Sequence, residues 1–169
     1  EFILKRIQEL GCSIVLLNKE ENWAQKYIDS LILADTNNHA ESLEAVKKYA
    51  EHHPIDEVVT FWEDDVLLTA KIVDMLDLPG IPYRVARITR NKYLFREFCR
   101  EAGIPNPQHQ MISSQADVDF VMENFNFPII AKPGYGSSSA LVVKVEKKQD
   151  LPKIIRYITE NISEKMESA

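Results

Sequence analysis

Cysteine is scarce in this sequence: 169 residues contain two, Cys12 and Cys99, too far apart for a short metal-ligand spacing. Two buried thiols in a reducing cytoplasm are expected rather than a disulfide. Long apolar runs are absent as well, none approaching the roughly 20 residues that a membrane span requires. The opening Glu1-Phe2-Ile3-Leu4-Lys5 lacks the basic start, apolar stretch and small-residue cleavage site of a secretory signal. A starting Met is missing too, and the sequence opens inside an amphipathic pattern, as expected of a piece of a longer chain. Positive charge is not in excess: the formal net charge is -6, which argues against nucleic acid as a partner. His39, His52, His53 and His109 have no ligand spacing with acids or thiols, and no internal repeat is present. His52-His53 is expected to close a helix, where partial positive charge is favourable.

What remains is the composition of an ordinary globular chain, 45% hydrophobic and 27% charged, long enough for one domain or two small ones. Its charge is uneven. Arg84, Arg87, Arg90, Lys92, Arg96 and Arg100 face a single acid, Glu97, between positions 84 and 100. Such a local patch on an acidic protein suits a small anion, although a solvated helix face explains the charge equally well. Lys92, Arg96 and Arg100 recur every fourth residue along one helix side; the anion role is assigned to Lys92 and the other two are expected to be surface charges. Trp23 and Trp62 are expected to pack rather than to form a stacking platform.

Apolar periodicity predicts a helix from Phe2 to Leu10 stopped by Gly11, then buried strands at Ser13–Leu17 and within Ile28–Ala34. Asn38 and Glu41 fit the start of a helix that Pro54 breaks, Glu57–Phe61 reads as another buried strand, and a helix follows from Val66 to Leu76. Alternating short strands and helices predict a doubly wound α/β domain over residues 1–88, with its first strand missing ahead of Phe2. Residues 89–107 read as a helix and a connector, because Ile104-Pro105-Asn106-Pro107 cannot be helical. A smaller α+β unit over 108–162 follows in the order β-α-β-loop-β-α, with strands at Gln108–Ile112, Pro128–Lys132 and Ala140–Val145. Ser114 caps its first helix, and 163–169 is a polar tail.

Gly134-Tyr135-Gly136-Ser137-Ser138-Ser139 carries the most chemistry. Glycine lets backbone N–H groups approach a ligand closely, serine adds hydroxyl donors, and successive N–H groups make a concavity for phosphate oxygens. A Walker A loop and a dinucleotide fingerprint both open a helix, whereas this loop runs into Ala140-Leu141-Val142-Val143. A protein-kinase loop lies between strands, but its lysine comes later in the chain; here Lys132 precedes the loop. An ordinary hairpin loop would leave Lys132 unexplained, since a lysine closing the apolar run Ile129-Ile130-Ala131 wants an anion. Tyr135, an aromatic at the loop tip, has few structural duties.

At this point the sequence resembles the ATP-grasp superfamily. Asn91-Lys92 at a helix start, Gly103-Ile104-Pro105-Asn106-Pro107, Phe127-Pro128-Ile129-Ile130-Ala131-Lys132-Pro133 and the loop Gly134–Ser139 occur in that family's order and spacing from about Asp56 to Ile158. Phe61-Trp62-Glu63-Asp64-Asp65-Val66 and Leu76-Asp77-Leu78-Pro79-Gly80-Ile81-Pro82 look most like its carboxylate–amine ligase branch, which includes dipeptide-forming amino-acid ligases. The resemblance implies a doubly wound pre-ATP-grasp domain followed by a small α+β lid. It also implies activation of a carboxylate by ATP to an acyl phosphate, which an amine attacks. Lys92 and Lys132 would contact nucleotide phosphates. Gly134, Tyr135, Gly136, Ser137, Ser138 and Ser139 would close over them. Small carboxylate and amine substrates are the implied partners, and a homo-oligomer is compatible with the family.

Glu63 ends a predicted strand, where open α/β sheets bind ligands, so it is either a substrate contact or one of three acids favouring the next helix. For Asp64 and Asp65 the helix role is preferred. The family holds Mg²⁺ with acids from a later half of its fold, and nothing after Ile162 supplies them; Glu164 and Glu167 lie in the tail. The chain alone is therefore expected to be inactive, its metal ligands lying outside it. A non-catalytic module that binds nucleotide or a partner is the alternative. A receiver-like signalling domain over 1–88 is weaker, since its acids would follow the first strand.

Overall fold

A computed structural model describes residues 1–136 and 139–162. Its internal contacts divide the chain into two compact units, Glu1–Tyr83 and Arg84–Ala169. The division falls at the start of a helix that runs across the edge expected at residue 88.

The first unit opens with α1 (Phe2–Glu9), followed by β1 (Val15–Asn18), a 3-10 turn at Trp23–Tyr27 and β2 (Ser30–Leu33). β1 and β2 pair in parallel, Val15 opposite Ser30 and Asn18 opposite Leu33. Helix α2 (His39–Ala50) starts where its cap chemistry places it: Asn38 Oδ1 accepts from Glu41 N–H at 3.3 Å and its amide returns to the Glu41 carboxylate at 3.1 Å. Helix α3 (Val66–Leu76) ends with Asp77 in the left-handed region at φ 52°. Ile32, Val46, Leu68 and Ile72 form the core where β2, α2 and α3 meet.

The run 57–61 is not a strand. It is unpaired, and Val59, Phe61 and Trp62 are exposed. Apolar, β-branched composition makes a run eligible for a sheet, but only a neighbour offering its N–H and C=O groups makes it a strand. Trp62 and Trp23 are both more than half exposed, so neither is the packing residue expected from its bulk. Cys12 is exposed as well, against the expectation of two buried thiols; only Cys99 is buried.

The second unit contains α4 (Tyr83–Arg90, whose first residue closes the first unit), α5 (Lys92–Glu101), α6 (Gln115–Asn124), β3 (Ile129–Ala131), β4 (Val143–Val145) and α7 (Leu151–Asn161). Helix α4 was not expected from the sequence. β3 and β4 are antiparallel, with Ile129 opposite Val145 and Ala131 opposite Val143. Their inner faces and the apolar sides of α6 and α7 enclose Val118, Val121, Ala131, Val145, Leu151 and Ile158. Ser114 caps α6 with a full capping box, its Oγ accepting from Asp117 N–H while the Asp117 carboxylate accepts from Ser114 N–H.

Two expected strands change here. Gln108–Ile112 is an unpaired segment, and it is side chains that hold it: His109 Nε2 lies 2.7 Å from Glu97 Oε1, and Gln108 Nε2 donates to Asn124 O at 3.4 Å. The run Ala140–Val145 becomes a strand only at Val143, because Leu141, at φ 54°, still belongs to the turn leaving the loop.

Candidate functional site

Helix α5 begins against the glycine-rich loop, and its first turn accounts for every donor. Asn91, buried at 8% exposure, accepts on Oδ1 from Tyr93 N–H at 2.9 Å and from Leu94 N–H at 3.0 Å. Its carbonyl takes Phe95 N–H at 2.9 Å, and Lys92 N–H donates to Gly134 O at 2.8 Å. These N-terminal N–H groups, which a helix ordinarily leaves unpaired, are therefore occupied within the protein. The helix end itself is not offering them to an anion.

The Lys92 side chain is offered to the loop. Its Nζ, half-buried, donates to Gly136 O at 2.8 Å. One residue thus takes two carbonyl oxygens of the loop, one through its backbone and one through its ammonium. Gly136 sits at φ 107°, a conformation that L side chains rarely adopt, and Ser139 at φ 59° leads into the hydrogen bond from Val142 N–H to Ser139 O at 3.2 Å. Lys132 leaves the end of β3 on the same loop, exposed to solvent and without a hydrogen-bond or ion-pair partner among the described residues. Pro133 is buried, and Gly134 and Tyr135 are half-buried. Ser137 and Ser138 lie outside the described residues.

So the second unit brings Lys92, Lys132, Gly134, Tyr135, Gly136 and Ser139 to one loop and its supports. Glu63 lies in the first unit, exposed, in a 3-10 turn at Glu63–Asp65 that leads directly into α3. The strand expected before it is absent, and with it the strand-end position that singled Glu63 out.

Asn91 is the supporting residue whose cap the sequence reading passed over. The signal was available, since Asn immediately before a helix is a preferred N-cap. Arg96, expected on the surface, is instead half-buried: Nη1 donates to Asn106 Oδ1 at 3.0 Å, and Asn106 Nδ2 donates back to Arg96 O at 2.8 Å. The connector is pinned to α5 by that pair. Arg100 is exposed, as expected, and its guanidinium, followed by His109, holds the Glu97 carboxyl below its ordinary range.

In the first unit, Lys71 Nζ lies 2.9 Å from His39 Nδ1 and 5.0 Å from the centre of the Tyr83 ring. Burial, and then the Lys71 charge, push His39 below its usual value, while Asp65 opposes the shift. Among the described residues there is no group of three or more His, Cys, Asp or Glu that could hold a metal ion. Nor is any helix among them long and apolar enough to cross a membrane.

The described residues thus comprise a parallel α/β unit, joined in sequence to a unit that sets lysines on a glycine loop between antiparallel strands. Residues 5–80 match the ATP-grasp N-terminal domain family. A D-alanine–D-alanine ligase of Ectopseudomonas mendocina (strain ymp) is 30% identical over 82 residues, which are 46% of this chain and 26% of that protein. The homologous enzyme of Neisseria gonorrhoeae (strain NCCP11945) is 31% identical over 100 residues, 56% of this chain and 31% of its own. Among solved structures, an L-amino acid ligase from Bacillus licheniformis superposes with a TM-score of 0.77 at 24% identity, covering 94% of this chain and 39% of that one. The fold is thus the α/β fold of the ATP-grasp enzymes, and the chain spans about a quarter to a third of the ligases it matches in sequence.

Proposed function

We propose that this chain is the ATP-binding portion of an ATP-grasp ligase that activates a carboxylate as an acyl phosphate for attack by an amine. The observation that carries the proposal is the convergence of Lys92 and Lys132 on the Gly134–Ser139 loop, with the Lys92 ammonium 2.8 Å from Gly136 O. Two cations beside a glycine loop fit the phosphates of a nucleotide. Within this reading residues 1–88 are the pre-domain, 89–107 the helix and connector, and 108–162 the lid. The substrates are a small carboxylate and an amine.

The residues present fit a triphosphate but not its magnesium ion, because the described residues hold no cluster of acids for a metal. What this chain's residues do is bind and position. Lys132 neutralises phosphate charge from the end of β3, Lys92 does so from the start of α5, and the loop N–H groups and hydroxyls supply donors in a site that a covering loop keeps dry. Water exclusion matters for this chemistry, because an acyl phosphate hydrolyses readily.

The test is calorimetric titration of the chain with ATP and with ADP, each with and without Mg²⁺, beside Lys132→Ala. Loss of one charge-assisted contact should weaken nucleotide binding by about tenfold or more. Equal affinity for the variant and the parent chain would remove Lys132 from the site.

A further inference from the structure

We infer that Lys92 is a positioning residue for the glycine-rich loop: it takes the carbonyl oxygens of Gly134 and Gly136 and so turns the loop's acceptors inward, away from where phosphate would sit. A phosphate cradle must show N–H groups and hide C=O groups, because an exposed carbonyl dipole repels the anion. The loop here has its carbonyls of Gly134 and Gly136 committed to a single residue, through Lys92 N–H and Lys92 Nζ, both at 2.8 Å. The Gly134–Tyr135 peptide is trans, as is every peptide bond described except Phe127–Pro128. In a planar trans peptide the N–H points opposite to the C=O, so the Tyr135 N–H points away from the start of α5.

Two further observations make Lys92, rather than the helix end, the positioning element. The N-terminal donors of α5 are already used by Asn91 and Gly134, so the helix has no N–H left to hold Gly136. Gly136 turns at φ 107°, a backbone open to glycine that leaves several orientations available to its carbonyl, and the ammonium is the group bonded to that carbonyl. Lys92 thus fixes the loop's shape through its side chain, and a neutral residue of the same length would lose that bond.

The purpose of this device rests on the proposed nucleotide site, but its geometry does not, and the two can be tested apart. Amide exchange and carbonyl chemical shifts are measured by NMR on the full chain without nucleotide, for the parent, Lys92→Met and Lys92→Arg. Lys92→Met keeps the backbone bond to Gly134 and removes only the ammonium. It should raise exchange at Val142, whose N–H bonds Ser139 O, by about tenfold and shift the Gly136 carbonyl resonance, while leaving the α6 and α7 amides unchanged. Lys92→Arg, which can still donate to that carbonyl, should restore most of the protection and much of the shift. An unchanged Gly136 carbonyl in Lys92→Met would overturn the inference. So would equal loss of protection throughout the second unit in both variants, which would make Lys92 a general stability residue. ATP titration of the same samples answers the separate question: a loop that depends on Lys92 but binds no nucleotide leaves the positioning intact and removes its proposed purpose.

Discussion

Removing the Asn91 side chain should loosen the helix start on which the loop is hung. In Asn91→Ala the N–H groups of Tyr93 and Leu94 lose the single oxygen they share, and Asn91 is buried, so solvent does not freely replace it. Losing an Asn cap costs about 1 kcal/mol, up to about 2, and two half-buried donors left unpaired place this case toward the upper end. For a unit of this size each kcal/mol corresponds to about 4–8 °C in midpoint temperature. Urea and thermal unfolding of the full chain followed by far-UV circular dichroism would read that change. Tryptophan fluorescence supplies an internal control, because Trp23 and Trp62 both lie in the first unit. The change should be absent from the tryptophan signal and present in the α5 amides, where exchange at Tyr93 and Leu94 rises first. Asn91→Asp keeps an acceptor oxygen and should recover most of the loss. Wild-type midpoints in Asn91→Ala, within about 0.3 kcal/mol, would refute the cap and with it the claim that α5 positions Gly134.

Two further outcomes follow from the same coordinates. Leu151, fully buried in the core of the second unit, should cost about 2–5 kcal/mol when replaced by Ala, read as a lower urea midpoint of that unit; a loss under about 1 kcal/mol would mean that the core collapses around the missing side chain. His39 is held below its usual value by burial and by Lys71, so as pH falls below about 6.5 the unfolded chain takes the proton first. Stability should therefore decline through that window and level off once the folded value is passed; His39→Gln should flatten the decline measured by pH-dependent urea titration, and an unchanged slope would place its origin elsewhere.

The local elements were legible where a single chemical signal decides the backbone. Asn38 with Glu41, and Ser114 three residues before Asp117, fix helix starts within one turn, because a side-chain oxygen reaches only the next two or three N–H groups. Gly134-Tyr135-Gly136 announced a loop with unusual dihedrals, and Gly136 has one. Pairing was not legible. Glu57–Phe61 and Gln108–Ile112 have strand composition and no ladder, since a strand is a relation between two segments and one segment's sequence carries half of it. Nor was burial: Trp23, Trp62 and Cys12 have the residue types of an interior and lie at the surface, whereas Arg96 has that of a surface and is pinned to Asn106.

By itself, then, the sequence determined the caps at Asn38 and Ser114, the proline connector and the lysine that precedes a glycine loop, all of which act over a few residues. Only the tertiary structure decided that Lys92, 44 positions before Gly136, meets its carbonyl, and that Asn91 and Lys92 N–H occupy the helix end so that the side chain carries the remaining charge. Contacts across that separation depend on how the loop after β3 meets the start of α5, and packing is set by the fit of many side chains at once rather than by the pattern of any one segment.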